Sequence, residues 1–140
     1  MPKQIRFNQT AAAALACGLL EDNGRIFFLK ATDLQGVERI GLPCVFLQKG
    51  QDPVKKLAEV FLDQTGIEGH VQEVLFNTIY NAGSRRKKKT IPCLVFRVTA
   101  KVRQATLKSG FSGCVWLKLS DAREKKLFKT SEWLVNIYRT

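Results

Sequence analysis

Leu42-Pro43-Cys44-Val45-Phe46-Leu47-Gln48-Lys49-Gly50-Gln51-Asp52-Pro53-Val54-Lys55-Lys56-Leu57-Ala58-Glu59-Val60-Phe61-Leu62-Asp63-Gln64-Thr65-Gly66-Ile67 reads as a strand, a turn and a capped helix. The apolar run Leu42 to Leu47 is the strand, and Gln48-Lys49-Gly50-Gln51 turns the chain. Asp52 supplies an N-cap acceptor, Pro53 suits the first helical position and Gly66 suits the stop. Between them Val54, Leu57, Ala58, Phe61 and Leu62 repeat with the spacing of a core-facing helix. Lys56, Val60 and Gln64 stand one turn apart and share a second face.

Upstream, Ala11 to Leu20 reads as a buried strand. Asp22-Asn23-Gly24 carries the Asn-Gly signal of a tight hairpin, and Arg25 to Leu29 returns. Ala31 to Ile40 is mixed and polar and reads as a loop. Downstream, Val71 to Tyr80 and Thr90 to Val98 are strands around the basic turn Gly83-Ser84-Arg85-Arg86-Lys87-Lys88-Lys89, and Cys114 to Leu119 is a further strand. Ser120-Asp121 is a candidate cap for a short turn. Ser131 opens a last helix through Trp133, Leu134 and Ile137. The expected fold class is α/β (α+β): one domain with a mixed β-sheet sandwiched between helices. Residues 1–10 are expected to be a basic N-terminal arm, and residues 11–140 the domain.

The segment 42–67 resembles, without gaps, the Nudix box, whose signature is G-x5-E-x7-R-E-U-x-E-E-x-G-U with U aliphatic. Gly50, Pro53, Gly66 and Ile67 fall in their structural places. The late strand with Trp116 and the polar turn after it extend the likeness over roughly 11–140. The resemblance implies the Nudix (MutT-like) fold. It also implies chemistry in which helix glutamates hold Mg²⁺ or Mn²⁺, hard cations that take oxygen ligands, and the metal activates water against a diphosphate. This chain departs on that face. The two glycines after Leu-Pro are Cys44 and Val45, and the early glutamate is Gln51. The Arg-Glu pair is Glu59-Val60, and the Glu-Glu pair is Asp63-Gln64. Valine cannot ligate a divalent cation and Lys56 repels one. Glu59 and Asp63, one turn apart, remain as a candidate pair for a shifted metal site. The plainer reading is a solvated row Lys55–Glu59–Asp63 with a Lys55–Glu59 pair.

Charge is the outlying bulk property: 23 Lys and Arg against 12 Asp and Glu give a formal net charge of +11. Such a field attracts polyanions. Arg85, Arg86, Lys87, Lys88 and Lys89, set between two strands, are the expected phosphate- or nucleic-acid-binding finger, with Lys101, Arg103 and Lys108 as candidate additions to the patch. Tyr80 and Phe111 are candidate platforms for a base, or else core residues. Cys17, Cys44, Cys93 and Cys114 have no metal spacing with the lone His70. Ala11 to Leu20 is interrupted too soon to be a signal core, and no apolar run reaches the roughly 20 residues of a membrane span. The expectation is a cytoplasmic protein in a reducing compartment, with no membrane partner. The function expected first is a non-catalytic nucleotide- or RNA-binding domain, alone or as a basic subunit of a larger RNA-containing assembly. The alternative is a divergent Mg- or Mn-dependent pyrophosphohydrolase acting on a nucleoside diphosphate linked to another group.

Overall fold

A computed structural model describes residues 11–108 and 110–137; the arm expected over residues 1–10 lies outside the described residues. Strands β1 (Ala14–Asp22) and β2 (Arg25–Thr32) form the expected hairpin. Its turn residues Asn23 and Gly24 both take positive φ, 54° and 77°, the geometry of a primed two-residue turn. The hairpin is paired only near its tip, at Glu21↔Ile26 and Asp22↔Arg25. Beyond that point the two strands splay into different sheets.

Strand β1 pairs antiparallel with β4 (Cys44–Leu47) and parallel with β6 (Thr90–Thr99), which pairs with β5 (His70–Asn81). Strand β2 lies between β3 (Glu38–Gly41) and β7 (Gly113–Leu117). Both faces of the larger sheet are covered, so β1 reads as an unbroken apolar run and not as an alternation. On one face Ala16, Leu47 and Phe96 meet Leu57 of helix α1 (Pro53–Thr65). On the other, Leu15, Cys17, Cys93 and Val95 pack with Ala122, Trp133 and Leu134 of the C-terminal segment. That segment contains α2 (Leu119–Ala122), a 3-10 turn (Lys129–Ser131) and α3 (Leu134–Ile137). The architecture is the mixed sheet between helices expected from sequence.

Helix α1 is built as its local signals dictate. The Asp52 carboxylate accepts from the Val54 amide at 3.0 Å, Pro53 opens the first turn, and Gly66 closes the helix at φ 72°. Gly50, in the preceding turn, sits at φ 88°, where a side chain is strained. The buried stripe is narrower than the periodicity suggests: Leu57, Phe61 and Thr65 are buried, whereas Val54 and Leu62 are 42% and 49% exposed. One row of side chains suffices to meet the sheet, and the flanking apolar residues stay at the rim.

Three readings are corrected. Residues 31–40 are not a loop: β2 runs to Thr32 and β3 begins at Glu38. Asp33 makes the reversal, accepting from the Gln35 and Val37 amides and from Arg39 Nε at 2.9 Å. The Arg39 guanidinium and these amides hold its carboxyl below the usual carboxylate range. The last strand stops at Leu117, and Leu119, Ser120 and Asp121 belong to α2, with no side-chain cap at its start. Ser131 does not cap a long helix. It is fully buried, and its hydroxyl accepts the Leu42 amide at 3.0 Å, pinning the C-terminal segment to the β3–β4 junction.

Candidate functional site

A cleft of about 780 Å³ opens where the edge strand β4 runs beside α1. Cys44, Val45 and Phe46 form one wall, Lys56, Val60, Asp63 and Gln64 form the other, and Gln48 and Gln51 close one end. Helical spacing alone places the half-buried row Lys56, Val60 and Gln64 along the cleft. The Gln51 side chain is engaged locally, accepting the Gln48 amide at 2.8 Å. Among the described residues, Gln64 Oε1 is a buried oxygen with no hydrogen-bond partner. It offers an acceptor to a ligand hydroxyl or, with the amide turned over, an N–H donor to a phosphate oxygen.

Among the described residues, Asp63 is the one carboxylate in the cleft lining, and Lys108 Nζ stands 2.6 Å from its Oδ2. Lys108 arrives there because residues 106–108 dock on the end of α1: the Thr106 and Lys108 amides donate to Thr65 and Gln64 carbonyls. No local signal in the sequence announces this pairing, since 45 positions separate the two residues. Glu59 lines a neighbouring depression with Gln51, Asp52, Lys55 and Lys56. It pairs with Lys56 at 3.7 Å and not with Lys55 as the i, i+4 spacing suggests. Glu59 and Asp63 therefore line adjoining concavities that share Gln51 and Lys56. Among the described residues, no three His, Cys, Asp or Glu side chains cluster so as to hold a metal ion. The donor set facing the cleft is an ammonium, an isopropyl group, amides and one ion-paired carboxylate, which does not fit Mg²⁺ or Mn²⁺.

The basic finger is a built feature. The Asn81 side chain accepts the Gly83 and Lys89 amides, Ser84 N donates to Lys87 O, and Ser84 Oγ accepts the Lys87 amide. Gly83 is required by space, because a Cβ there would collide with the Lys87 carbonyl oxygen. Arg85, Arg86, Lys87, Lys88 and Lys89 are all exposed at the tip. Lys101, Arg103 and Lys108 do not add to this patch. They follow the far end of β6, ten residues and about 30 Å of strand away. Arg103 there pairs with Asp22 at 3.5 Å.

Neither candidate platform is an open aromatic face. Tyr80 is 5% exposed, with its ring 5.6 Å from Phe46 and Lys129 Nζ above it. Phe111 is half-buried against the core cluster that contains Phe27 and Phe61. Among the described residues, no helix is long and apolar enough to cross a membrane.

No protein-family model matches the sequence, and no curated protein matches it. Solved structures do match in shape. A NUDIX hydrolase from Nitrosomonas europaea superposes with TM-score 0.70 at 12% identity, over 91% of this chain and 88% of that one. The NUDIX domain of Shewanella oneidensis NrtR, complexed with ADP ribose, gives TM-score 0.64 at 14% identity, over 89% and 84%. An ADP-ribose pyrophosphatase from Streptococcus suis gives TM-score 0.64 at 11% identity, over 89% and 85%. At such identities shape is what is shared, and it is shared along nearly the whole chain: this protein has a Nudix-like fold.

Proposed function

We propose that this chain binds a nucleotide containing a diphosphate in the cleft between β4 and α1, using lysine and amide groups in place of a metal ion, and does not hydrolyse it by the usual Nudix route. The observation that carries this reading is the cleft-facing row Lys56, Val60 and Gln64. An ammonium there supplies a fixed positive charge to a diphosphate. The uncompleted Gln64 amide supplies a hydrogen-bonding group, and the net charge of +11 draws anions toward the surface. The exposed finger Arg85 to Lys89 extends the same preference to a longer phosphate backbone, with RNA as its proposed occupant.

A second reading is a divergent Mg- or Mn-dependent pyrophosphohydrolase using Asp63 and Glu59. The names of the structural neighbours, hydrolases and an ADP-ribose pyrophosphatase among them, support this reading better than they support a binding-only role. The composition of the cleft favours the first.

The test is titration calorimetry with ADP-ribose at low salt, with and without a chelator, beside a turnover assay with Mg²⁺ and Mn²⁺. Binding that survives chelation, and that falls about 10- to 100-fold in Lys56→Gln, supports the binding reading; that is the loss expected for one charge-assisted hydrogen bond. Metal-dependent turnover that is lost in Asp63→Asn replaces it with the hydrolase reading.

A further inference from the structure

Three of the four thiols meet on the sheet face that α1 does not cover. Cys17 lies in the middle of β1, Cys44 opposite it on β4, and Cys93 on β6 with its Sγ 4.0 Å from Cys17 Sγ. The Gly18 amide donates to the Pro43 carbonyl, so Gly18 and Pro43 form a hydrogen-bonded position of the ladder. The adjacent pair Cys17↔Cys44 is then a non-hydrogen-bonded position, where the Cα atoms of opposed residues approach to about 4.5 Å. That lies within the span that a disulfide bridges, about 4.4–6.8 Å. Cys93 is placed differently. It sits opposite Leu15 on a parallel strand, and the two-residue offset from Cys17 puts the Cα atoms about 8 Å apart, beyond easy bridging. Cys17 and Cys93 are fully buried, whereas Cys44, on the edge strand β4, is half-buried.

The geometry points to Cys44 and Cys17 as a thiol pair at the sheet edge, on the face turned away from α1, that a hydroperoxide converts to a cross-strand disulfide. Cys44 is the thiol that reacts first. It stands on the edge strand β4 and is half-buried where Cys17 is fully buried, and hydrogen bonds from Cys17 and Thr130 favour its thiolate against the opposing effect of burial. Cys17 is held as the neutral thiol by its hydrogen bonds to Cys44 and Cys93 and by burial. In the first step the Cys44 thiolate attacks one peroxide oxygen. An S–O bond forms, the O–O bond breaks, and the released alkoxide or hydroxide takes a proton from water. In the second step the Cys17 sulfur attacks the Cys44 sulfur. The S–S bond forms and the S–O bond breaks, and the departing hydroxide leaves as water with the Cys17 proton. The two thiols give up two electrons, and the peroxide accepts them.

The test needs no knowledge of what the cleft binds. Tryptic cleavage puts the four cysteines on separate peptides, 7–25, 40–49, 90–97 and 109–118. The folded full-length protein is treated with hydrogen peroxide, blocked with an alkylating agent and mapped without reduction. The expected product is peptide 7–25 joined to 40–49, reversed by dithiothreitol. In Cys17→Ala, Cys44 is expected to accumulate as a sulfenic acid captured by dimedone. A bridge from 7–25 to 90–97, or a Cys44 that stays reduced in the folded wild-type protein, overturns the assignment. The wild-type map decides the matter even if the variant does not fold.

Discussion

Lys108 Nζ stands 2.6 Å from Asp63 Oδ2, and so the one carboxylate in the lining of the β4–α1 cleft is neutralised by a residue 45 positions away. Both side chains are more than half exposed, 53% and 58%. The pair therefore adds at most about 1 kcal/mol to stability. Its effect is expected on the ligand. Lys108→Ala uncovers a negative charge in the anion cleft, which weakens ADP-ribose binding while the urea midpoint hardly moves. Calorimetry and a denaturation curve on the same preparation check both halves. Unchanged affinity would remove Lys108 and Asp63 from the account of the cleft.

The cleft-facing row predicts a gain of function. Val60→Glu with Gln64→Glu and Lys56→Ala places two carboxylates one helical turn apart and removes the cation beside them. The triple variant is expected to melt at a higher temperature with millimolar Mn²⁺ than without, since an ion that binds only the folded state stabilises it. The parent is expected to show no such shift. A parent that responds as strongly as the variant would mean that the shifted Glu59 and Asp63 route already holds the ion.

How far the sequence carries follows from the range of the signals. Helix α1 and the β1–β2 turn are legible because their determinants are local: Asp52, Pro53 and Gly66 for the one, Asn23 and Gly24 for the other. The cleft face of α1 is legible for the same reason, since Lys56, Val60 and Gln64 follow the helical period. Strand β3 is not legible. Its polar residues Glu38 and Arg39 pair with Lys30 and Asp33, and a distant segment holds the strand, where the Ile40 amide donates to the Lys126 carbonyl and the Phe128 amide to that of Ile40. The partners of Glu59 and Asp63 are invisible for a related reason. Helical spacing puts the two in one row, and only the packed chain brings Lys108 to Asp63 and leaves Lys56 to Glu59.

The finger at Arg85 to Lys89 is held by its own backbone and by Asn81, and its charges project into solvent. Replacing the five residues by serine is therefore expected to leave stability nearly unchanged. It is also expected to weaken binding of a single-stranded RNA and to flatten the dependence of log K on log salt, by roughly 0.7 for each phosphate that the finger no longer neutralises. Fluorescence anisotropy across a salt series checks this. An unaltered slope would mean that the finger touches no phosphate.

Ser131 carries a structural prediction that is independent of any ligand. Its hydroxyl is the acceptor for the buried amide of Leu42, at the start of the segment that carries both β4 and the wall of the cleft. In Ser131→Ala that amide keeps its burial and loses its partner, a loss of about 1–3 kcal/mol. The surface of unfolding is little altered, so the urea midpoint should fall at constant slope. Ser120→Ala, at an exposed position in α2, is the control and should stay within about 0.5 kcal/mol of the parent. If the two variants melt alike, water can replace the Ser131 hydroxyl, and the C-terminal segment is held to the sheet by Trp133 and Leu134 packing and by the backbone bonds of Ile40.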